Sequence, residues 1–339
     1  MNLMKQIKDG FQLFWRWVEM FTFRAIVAAL IIICSIVLVI EPGWIVAAAD
    51  SLRIPYAVFL VVFVTFFFLR NNYALASAGA IALLILAPGI WPYFKTASEL
   101  PSTKKAEKKE VVVSDFSVLH FNVKENNKQI TSVAEAALAS GADIVSMQEL
   151  TGNSFAIVDP LMREKYPYAL SELSYPGFGM AVYSKYPIAS TAVLASHDFP
   201  LLTGIIIISS DTLHFIAATT STPTNDKDFQ AQLKQFKFIA EEANKVTGQL
   251  IVMGDMNAVP WSEQVTSLLN TTKLKDSRKD LSATYPAQSP LQIPIDYIFH
   301  SAAITCEKFT TQGGTTSNHL GIIGYYNFKE KIKRKNKTK

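Results

Sequence analysis

Apolar residues before position 96 come in long unbroken runs, and after it in short blocks separated by polar turns. Residues 25–40 are apolar apart from Ser35. With Phe21-Thr22-Phe23-Arg24 ahead of them, and Arg24 snorkelling to the surface, they approach the ~20 residues that span a bilayer. Residues 54–69, bracketed by Arg53 and Arg70, repeat the pattern. So do residues 73–94, which close on Trp91, Pro92, Tyr93 and Phe94 in the manner of an interfacial aromatic belt. Together these runs predict three transmembrane helices. Residues 4–20, amphipathic and carrying Phe11, Phe14, Trp15 and Trp17, predict a helix lying on the inner membrane face.

The second pattern is one of short strands with a few helices between them. Strands are predicted over 111–123, 142–148, 180–184, 204–209, 212–219, 295–300 and 320–326, and helices over 127–140 and 228–246. A further strand is predicted at Leu250-Ile251-Val252-Met253, which Gly254 breaks just ahead of Asp255-Met256-Asn257. Pro260-Trp261-Ser262 then turns the chain into a helix running through Leu269, with Ser262 as its N-cap. So many strands with few inserted helices predict an α+β fold, two sheets packed face to face with helices outside.

Charge and cysteine usage refine this picture. Lys5, Lys8, Arg16 and Arg24 precede the first apolar run, whereas Glu41, Asp50 and Arg53 follow it, so the N-terminus is expected in the cytoplasm. Three crossings then place the region after residue 94 outside. The organisation expected is a membrane anchor over 1–95, a polar Lys/Glu-rich linker over 96–110, a folded domain over 111–328 and a basic tail over 329–339. Only two cysteines occur, Cys34 in an apolar run and Cys306 in the folded region, which excludes a disulfide within that region and a cysteine metal site. Residues 97–328 carry a modest acidic excess, against the basic face expected of a nonspecific nuclease.

Candidate chemistry gathers at the strand ends. Asn122 ends the first strand and Glu149 the second, Asp255 and Asn257 follow the central one, Asp296 opens another, and Asn318-His319 precede the last. Each alone is an ordinary turn former or cap; the ordered set points further. Carboxylate and carboxamide oxygens are the hard ligands Mg²⁺ accepts while keeping its waters. Asp255 offers an acceptor for a proton, and Asn257, two residues on, offers a neutral donor on the same side of an extended backbone. A histidine beside an aspartate is held in one tautomer. Together these describe metal-assisted attack of water on a phosphoryl group.

The blocks Phe121-Asn122-Val123 with Asn127, Met147-Gln148-Glu149, Gly177 through Pro187, Gly254-Asp255-Met256-Asn257-Ala258 with Pro260-Trp261-Ser262, Ile295-Asp296-Tyr297-Ile298-Phe299 and Ser317-Asn318-His319 resemble, in order, the deoxyribonuclease I-like endonuclease/exonuclease/phosphatase superfamily. Tyr166-Pro167-Tyr168 and the glycine-rich approach before Met180 are most similar to its membrane-anchored bacterial branch. The resemblance implies a four-layer α/β sandwich with the site at one rim. It further implies Glu149 as main ligand of Mg²⁺ (or Mn²⁺) with Asn122 nearby, Asp255 positioning or deprotonating water, Asn257 holding phosphate, and His319, oriented by Asp296, contacting the scissile phosphate.

Two positions depart from the family pattern. Thr220 stands where a Thr-His-x-x-Pro histidine is usual, and Asn318, a third candidate metal ligand, stands where Asp is usual. The chain is therefore expected to be a membrane-tethered, metal-dependent phosphodiesterase or phosphatase acting outside the cytoplasm on a lipid head group, an envelope phosphate or extracellular nucleic acid. The lipid bilayer is its other expected partner, and no obligate protein partner is inferred. The alternative is a catalytically degenerate domain that binds a phosphorylated ligand or a protein partner.

Overall fold

The computed structural model describes residues 2–40, 43–93, 113–196 and 199–329. The linker expected over 96–110 and the basic tail beyond residue 329 lie outside the described residues. The chain divides into two compact units, Met1–Pro92 and Tyr93–Lys339.

The first unit is helical. α1 (Asn2–Ile40) is one continuous helix, α2 (Trp44–Asp50) and α3 (Arg53–Leu69) follow, and α4 (Tyr73–Ile90) packs against both α1 and α3. The surface helix expected over 4–20 and the span expected over 25–40 are thus a single element; no proline interrupts the sequence between them. Ile31, Leu60, Ala82 and Leu86 form a small core. Around it the apolar surface faces outward, Leu69 and Leu84 each being 73% exposed. An exposed apolar surface of this kind marks a face for a protein partner or a membrane. Two stretches are long and apolar enough to cross a membrane, Met20–Val37 and Tyr73–Tyr93. The middle run differs from expectation. α3 has 17 residues and meets α2 at a 64° bend, so it makes a third span only when the bent pair counts as one. Asp50 and Arg53, buried and paired with each other, sit at that bend.

The second unit contains two six-stranded sheets. Strands β1 (Phe116–Asn122), β2 (Ile144–Gln148), β3 (Tyr168–Glu172), β4 (Met180–Ser184), β11 (Ile304–Gln312) and β12 (Gly321–Phe328) form one, in the order β11-β12-β1-β2-β4-β3. Strands β5 (Ile188–Ser196), β6 (Phe199–Ile208), β7 (Asp211–Ala217), β8 (Leu250–Asp255), β9 (Lys275–Asp276) and β10 (Asp296–His300) form the other, in the order β5-β6-β7-β8-β10-β9. Each sheet is mixed, with one parallel pair at its centre, β1 with β2 and β7 with β8.

Three apolar layers account for the packing. One lies between the sheets and includes Val118, Val182, Phe215, Met253 and Ile298. A second joins the first sheet to α5 (Thr131–Ser140) and α6 (Gly152–Arg163). The third joins the second sheet to α7 (Asp226–Lys245) and α8 (Glu263–Thr272). Helices outside and two sheets inside make the four-layer sandwich expected. Because both faces of β1, β2, β4, β8 and β10 are covered, every residue in them is buried.

The helix ends carry their own signals. The Asn225 side chain accepts from the Asp228 N–H at the start of α7, with Asp226 and Asp228 in the first turn and Lys245 in the last. Ser262 caps α8 as expected. Polar α7 positions Gln232 and Gln235 fall in its buried stripe with Phe229, Phe236, Ile239 and Ala243.

Candidate active site

β1 and β2 of one sheet face β8 and β10 of the other, and the ends of these four strands meet at one rim. Asn122 closes β1 opposite Gln148 of β2, so Glu149 emerges beside it. Asp255 closes β8 directly opposite Asp296, which opens β10. Ser317 Oγ donates to the Asn122 carbonyl oxygen over 2.7 Å, drawing in the segment that carries Asn318 and His319.

The side chains of these residues form a connected set. Asn122 Nδ2 donates to Glu149 Oε1 at 2.7 Å and to Asp255 Oδ2 at 2.9 Å. Its Oδ1 accepts from the Lys124 N–H, so in this orientation Asn122 turns donors, not an oxygen, toward the carboxylates. Asp255 Oδ1 accepts from the Asn257 N–H at 2.9 Å. The Asn257 carboxamide donates to Thr220 O and accepts from Thr222 Oγ1, each at 2.8 Å, leaving one amide hydrogen for a ligand. His319 Nδ1 lies 2.9 Å from Asp296 Oδ2, and its Nε2 lies 3.8 Å from Asp255 Oδ2. Asp255, Asp296 and His319 thus bring one ligand atom each within 4.8 Å of one another, a buried acidic and histidine cluster of the sort that holds metal ions. Glu149 and Asn257 adopt positive φ, 62° and 44°, the left-handed region that few non-glycine residues hold.

Several contributors went unread in the sequence. His120 lies on the same face of β1 as Asn122, two residues earlier, and places Nε2 3.3 Å from Asp296 Oδ1; period-2 alternation was its signal. Gln148, fully buried, spans the sheets: its Nε2 donates to Ala218 O at 2.8 Å and its Oε1 accepts from the Asp255 N–H at 2.9 Å. Gln232, a polar residue in an apolar helical stripe, donates to Asn257 O at 3.0 Å. Thr220 Oγ1 bonds Met256 O. Thr220 and Gln232 together therefore hold the turn carrying Asn257. Arg278, also buried, donates to the Asp296 carbonyl oxygen at 2.7 Å.

Electrostatics separates the two buried carboxylates. Burial, aided by the Asp296 charge, pushes Asp255 up to about 7. Burial pushes Asp296 the same way, but the imidazoles of His319 and His120 outweigh it and hold this carboxyl below the usual range. Burial opposes the charge on His319, yet Asp296, Asp255 and Glu149 prevail and raise it to about 9.

The folded chain thus keeps a His319 proton that an unfolded chain releases near 6.5. The stabilisation is complete below pH 6.5 and is lost as pH rises through about 9. Thermal unfolding midpoints should fall across that window, and His319→Gln should flatten the fall. An equal slope in the variant would assign the proton elsewhere.

The Endonuclease/Exonuclease/phosphatase family matches residues 119–319, and the chain belongs to that family, whose members are hydrolases of phosphoesters. Solved structures agree in fold. D. rerio TDP2 complexed with single strand DNA product aligns at 15% identity over 62% of this chain and 98% of that one, with a TM-score of 0.54. The endonuclease/exonuclease/phosphatase from Bacteroides vulgatus aligns at 15% identity over 63% and 98%, with a TM-score of 0.54. The corresponding protein from Beutenbergia cavernae DSM 12333 aligns at 17% identity over 63% and 71%, with a TM-score of 0.52. No curated protein matches the chain in sequence.

Proposed function

We propose that this chain is a membrane-anchored, divalent-metal-dependent phosphodiesterase or phosphatase. The observation that carries the reading is the convergence of Asn122, Glu149, Asp255, Asn257, Asp296 and His319 at one rim, with His319 held between two carboxylates. The proposed organisation is an anchor over residues 1–95, a linker over 96–110, the hydrolase over 111–328 and a basic tail over 329–339. The N-terminus is placed in the cytoplasm and the hydrolase outside. The outward apolar surface of the helical unit supports the anchor.

The donor set fits a hard cation. Within the buried cluster the His319 imidazolium already balances the Asp296 carboxylate and faces Asp255, so the ion belongs on the more open side, at the Glu149 carboxylate. Asn318 Oδ1, buried without a hydrogen-bond partner among the described residues, supports a place for it in the same ligand set. Asn122 contributes by fixing Glu149, and its oxygen becomes a ligand only if the carboxamide turns over. When bound, Mg²⁺ or Mn²⁺ would draw charge from the phosphoryl oxygens and favour attack by water.

The remaining steps fall to the chain itself. Asp255, held by Asn122 and the Asn257 N–H, accepts the proton of the attacking water as the new phosphorus–oxygen bond forms and the bond to the ester oxygen breaks, the leaving oxyanion departing to solvent, which protonates it. Its pKa near 7 suits that task. Asn257 gives its free amide hydrogen to a phosphoryl oxygen. His319, charged and oriented by Asp296, directs Nε2–H at the negative charge that builds there. Full-length protein should hydrolyse bis(4-nitrophenyl) phosphate with Mg²⁺ or Mn²⁺ and lose that activity to a chelator. Failure of every divalent metal to support turnover would overturn the reading and favour the binding domain.

A further inference from the structure

A cavity of about 570 Å³ opens between α7, the β5–β6 edge and the turn carrying Phe178. It lies within the size range of ligand sites. Phe178, Phe199 and Phe238 form its apolar wall, packed edge to face with centroids 5.9 Å and 6.2 Å apart. Phe199 is buried, and the other two rings are half-buried. Lys227, Lys234 and Lys237 line the helical side with Glu241. Lys237 lies 3.9 Å from Glu241. Among the described residues no carboxylate lies within ion-pair distance of Lys227 or Lys234. These two, seven positions apart, share one face of α7.

Both walls connect to the reaction centre through short stretches of chain. Gln235, in the cavity lining, accepts from the Ser221 N–H at 2.7 Å and donates to Ser221 Oγ at 3.0 Å. The flanking Thr220 and Thr222 both bond the Asn257 carboxamide. On the other wall, Phe178 precedes Gly179, whose carbonyl accepts from the N–H of Leu150, the residue after Glu149. The cavity lining is thus joined through Ser221 to the segment that holds Asn257, and through Gly179 to the segment that follows Glu149. Three phenylalanines ask for an apolar body, and two lysines with no carboxylate in ion-pair reach among the described residues ask for negative charge.

We infer that this cavity is a substrate subsite for the non-reacting substituent of the phosphoester, an apolar group bearing a second negative charge. The inference rests on the hydrolase reading above and names its substrate class. It assigns Phe178, Phe238, Lys227 and Lys234 to selection and leaves bond cleavage to the rim.

The test compares three diesters of 4-nitrophenyl phosphate whose second substituent is methyl, 3-phenylpropyl or 3-(4-carboxyphenyl)propyl. Full-length protein in phosphatidylcholine nanodiscs should show kcat/KM rising in that order. In Lys227→Glu/Lys234→Glu the preference for the carboxylate over the phenyl ester should fall about tenfold at low salt, and the difference should shrink as salt is added. Lys245→Glu, at the far end of α7 and paired with Glu242, should keep the preference. A preference unchanged in the double variant, or a wild type favouring the methyl ester, would overturn the subsite. Should no ester turn over, the hydrolase reading fails by itself. Calorimetric binding of methyl 3-(4-carboxyphenyl)propyl phosphate then decides the subsite: tenfold weaker binding in the double variant supports it, and equal or no binding removes it. Dihexanoyl phosphatidylserine against dihexanoyl phosphatidylcholine, and pTpT against TpT, distinguish a lipid source of the charged group from a nucleotide source.

Discussion

Asp255→Asn is expected to lower kcat/KM by about 10³-fold while leaving the protein folded. The amide cannot take a proton from the attacking water. Nor does it fit the hydrogen bonds in place. Oδ1 of Asp255 receives the Asn257 N–H and Oδ2 receives Asn122 Nδ2, so an NH₂ group at either position faces another donor. That mismatch costs about 1–3 kcal/mol, which the surrounding strands absorb. The pH profile separates loss of the base from mere displacement. Burial and the Asp296 charge push Asp255 up to about 7, so wild-type activity should rise with pH as this carboxyl ionises. A bound cation favours the ionised form, placing the acid limb at or below that value. Asp255→Asn should lack the limb altogether. Activity within tenfold of wild type, or an acid limb of the same position, would remove Asp255 as the proton acceptor.

What the sequence conveyed followed the strength of the local pattern. The Leu250 strand and the polar residues at its end were legible because four buried apolar residues lead into them, but the break expected at Gly254 does not occur: the strand continues through Gly254, paired with Tyr297, to Asp255. β4 was read at its observed bounds, since a fully buried strand is a continuous apolar block. β5 was missed for the opposite reason. Ile188–Ser196 is rich in small residues, half of it exposed, so it has neither a block nor a clean alternation. β11 carries Glu307, Lys308 and a run of threonines on an edge of its sheet, and α6 contains Pro160, which reads as a breaker.

The site divides in the same way. Residues at strand ends were found because polar groups there interrupt apolar runs. His120, Gln148 and Gln232 lie inside elements, and their roles depend on which strands face each other across the sandwich. Periodicity along one element carries no such information. The helical unit shows the same limit. Residues 54–69 were long enough by composition to suggest a span, whereas the bend at the Asp50–Arg53 pair arises from how two helices meet.

Gly254→Ala tests how far the site depends on that cross-sheet packing, and it is expected to be the most destabilising single methyl in the domain. Gly254 has φ of +153°, a conformation that L side chains rarely adopt. A Cβ there would lie 1.7 Å from the Ala218 carbonyl oxygen and 2.6 Å from Gln148 Nε2. Neither neighbour has room to yield. Ala218 follows β7 directly, and Gln148 is the buried side chain that joins the first sheet to the Asp255 N–H. Backbone strain and overpacking together should cost roughly 2–6 kcal/mol, a large share of the 5–15 kcal/mol that holds a typical domain folded. Gly248 supplies the control, because its φ is +105° but a Cβ there meets nothing within 4 Å. Gly248→Ala should show the backbone term alone. The expected order of thermal midpoints is wild type, then Gly248→Ala, then Gly254→Ala by a wide margin. Any folded Gly254→Ala should be at least about a hundredfold less active, because shifting Gln148 moves Asp255 away from its water. Equal midpoints for the two alanine variants would mean that the sheets have slack at this rim, and that Gln148 does not set the position of Asp255.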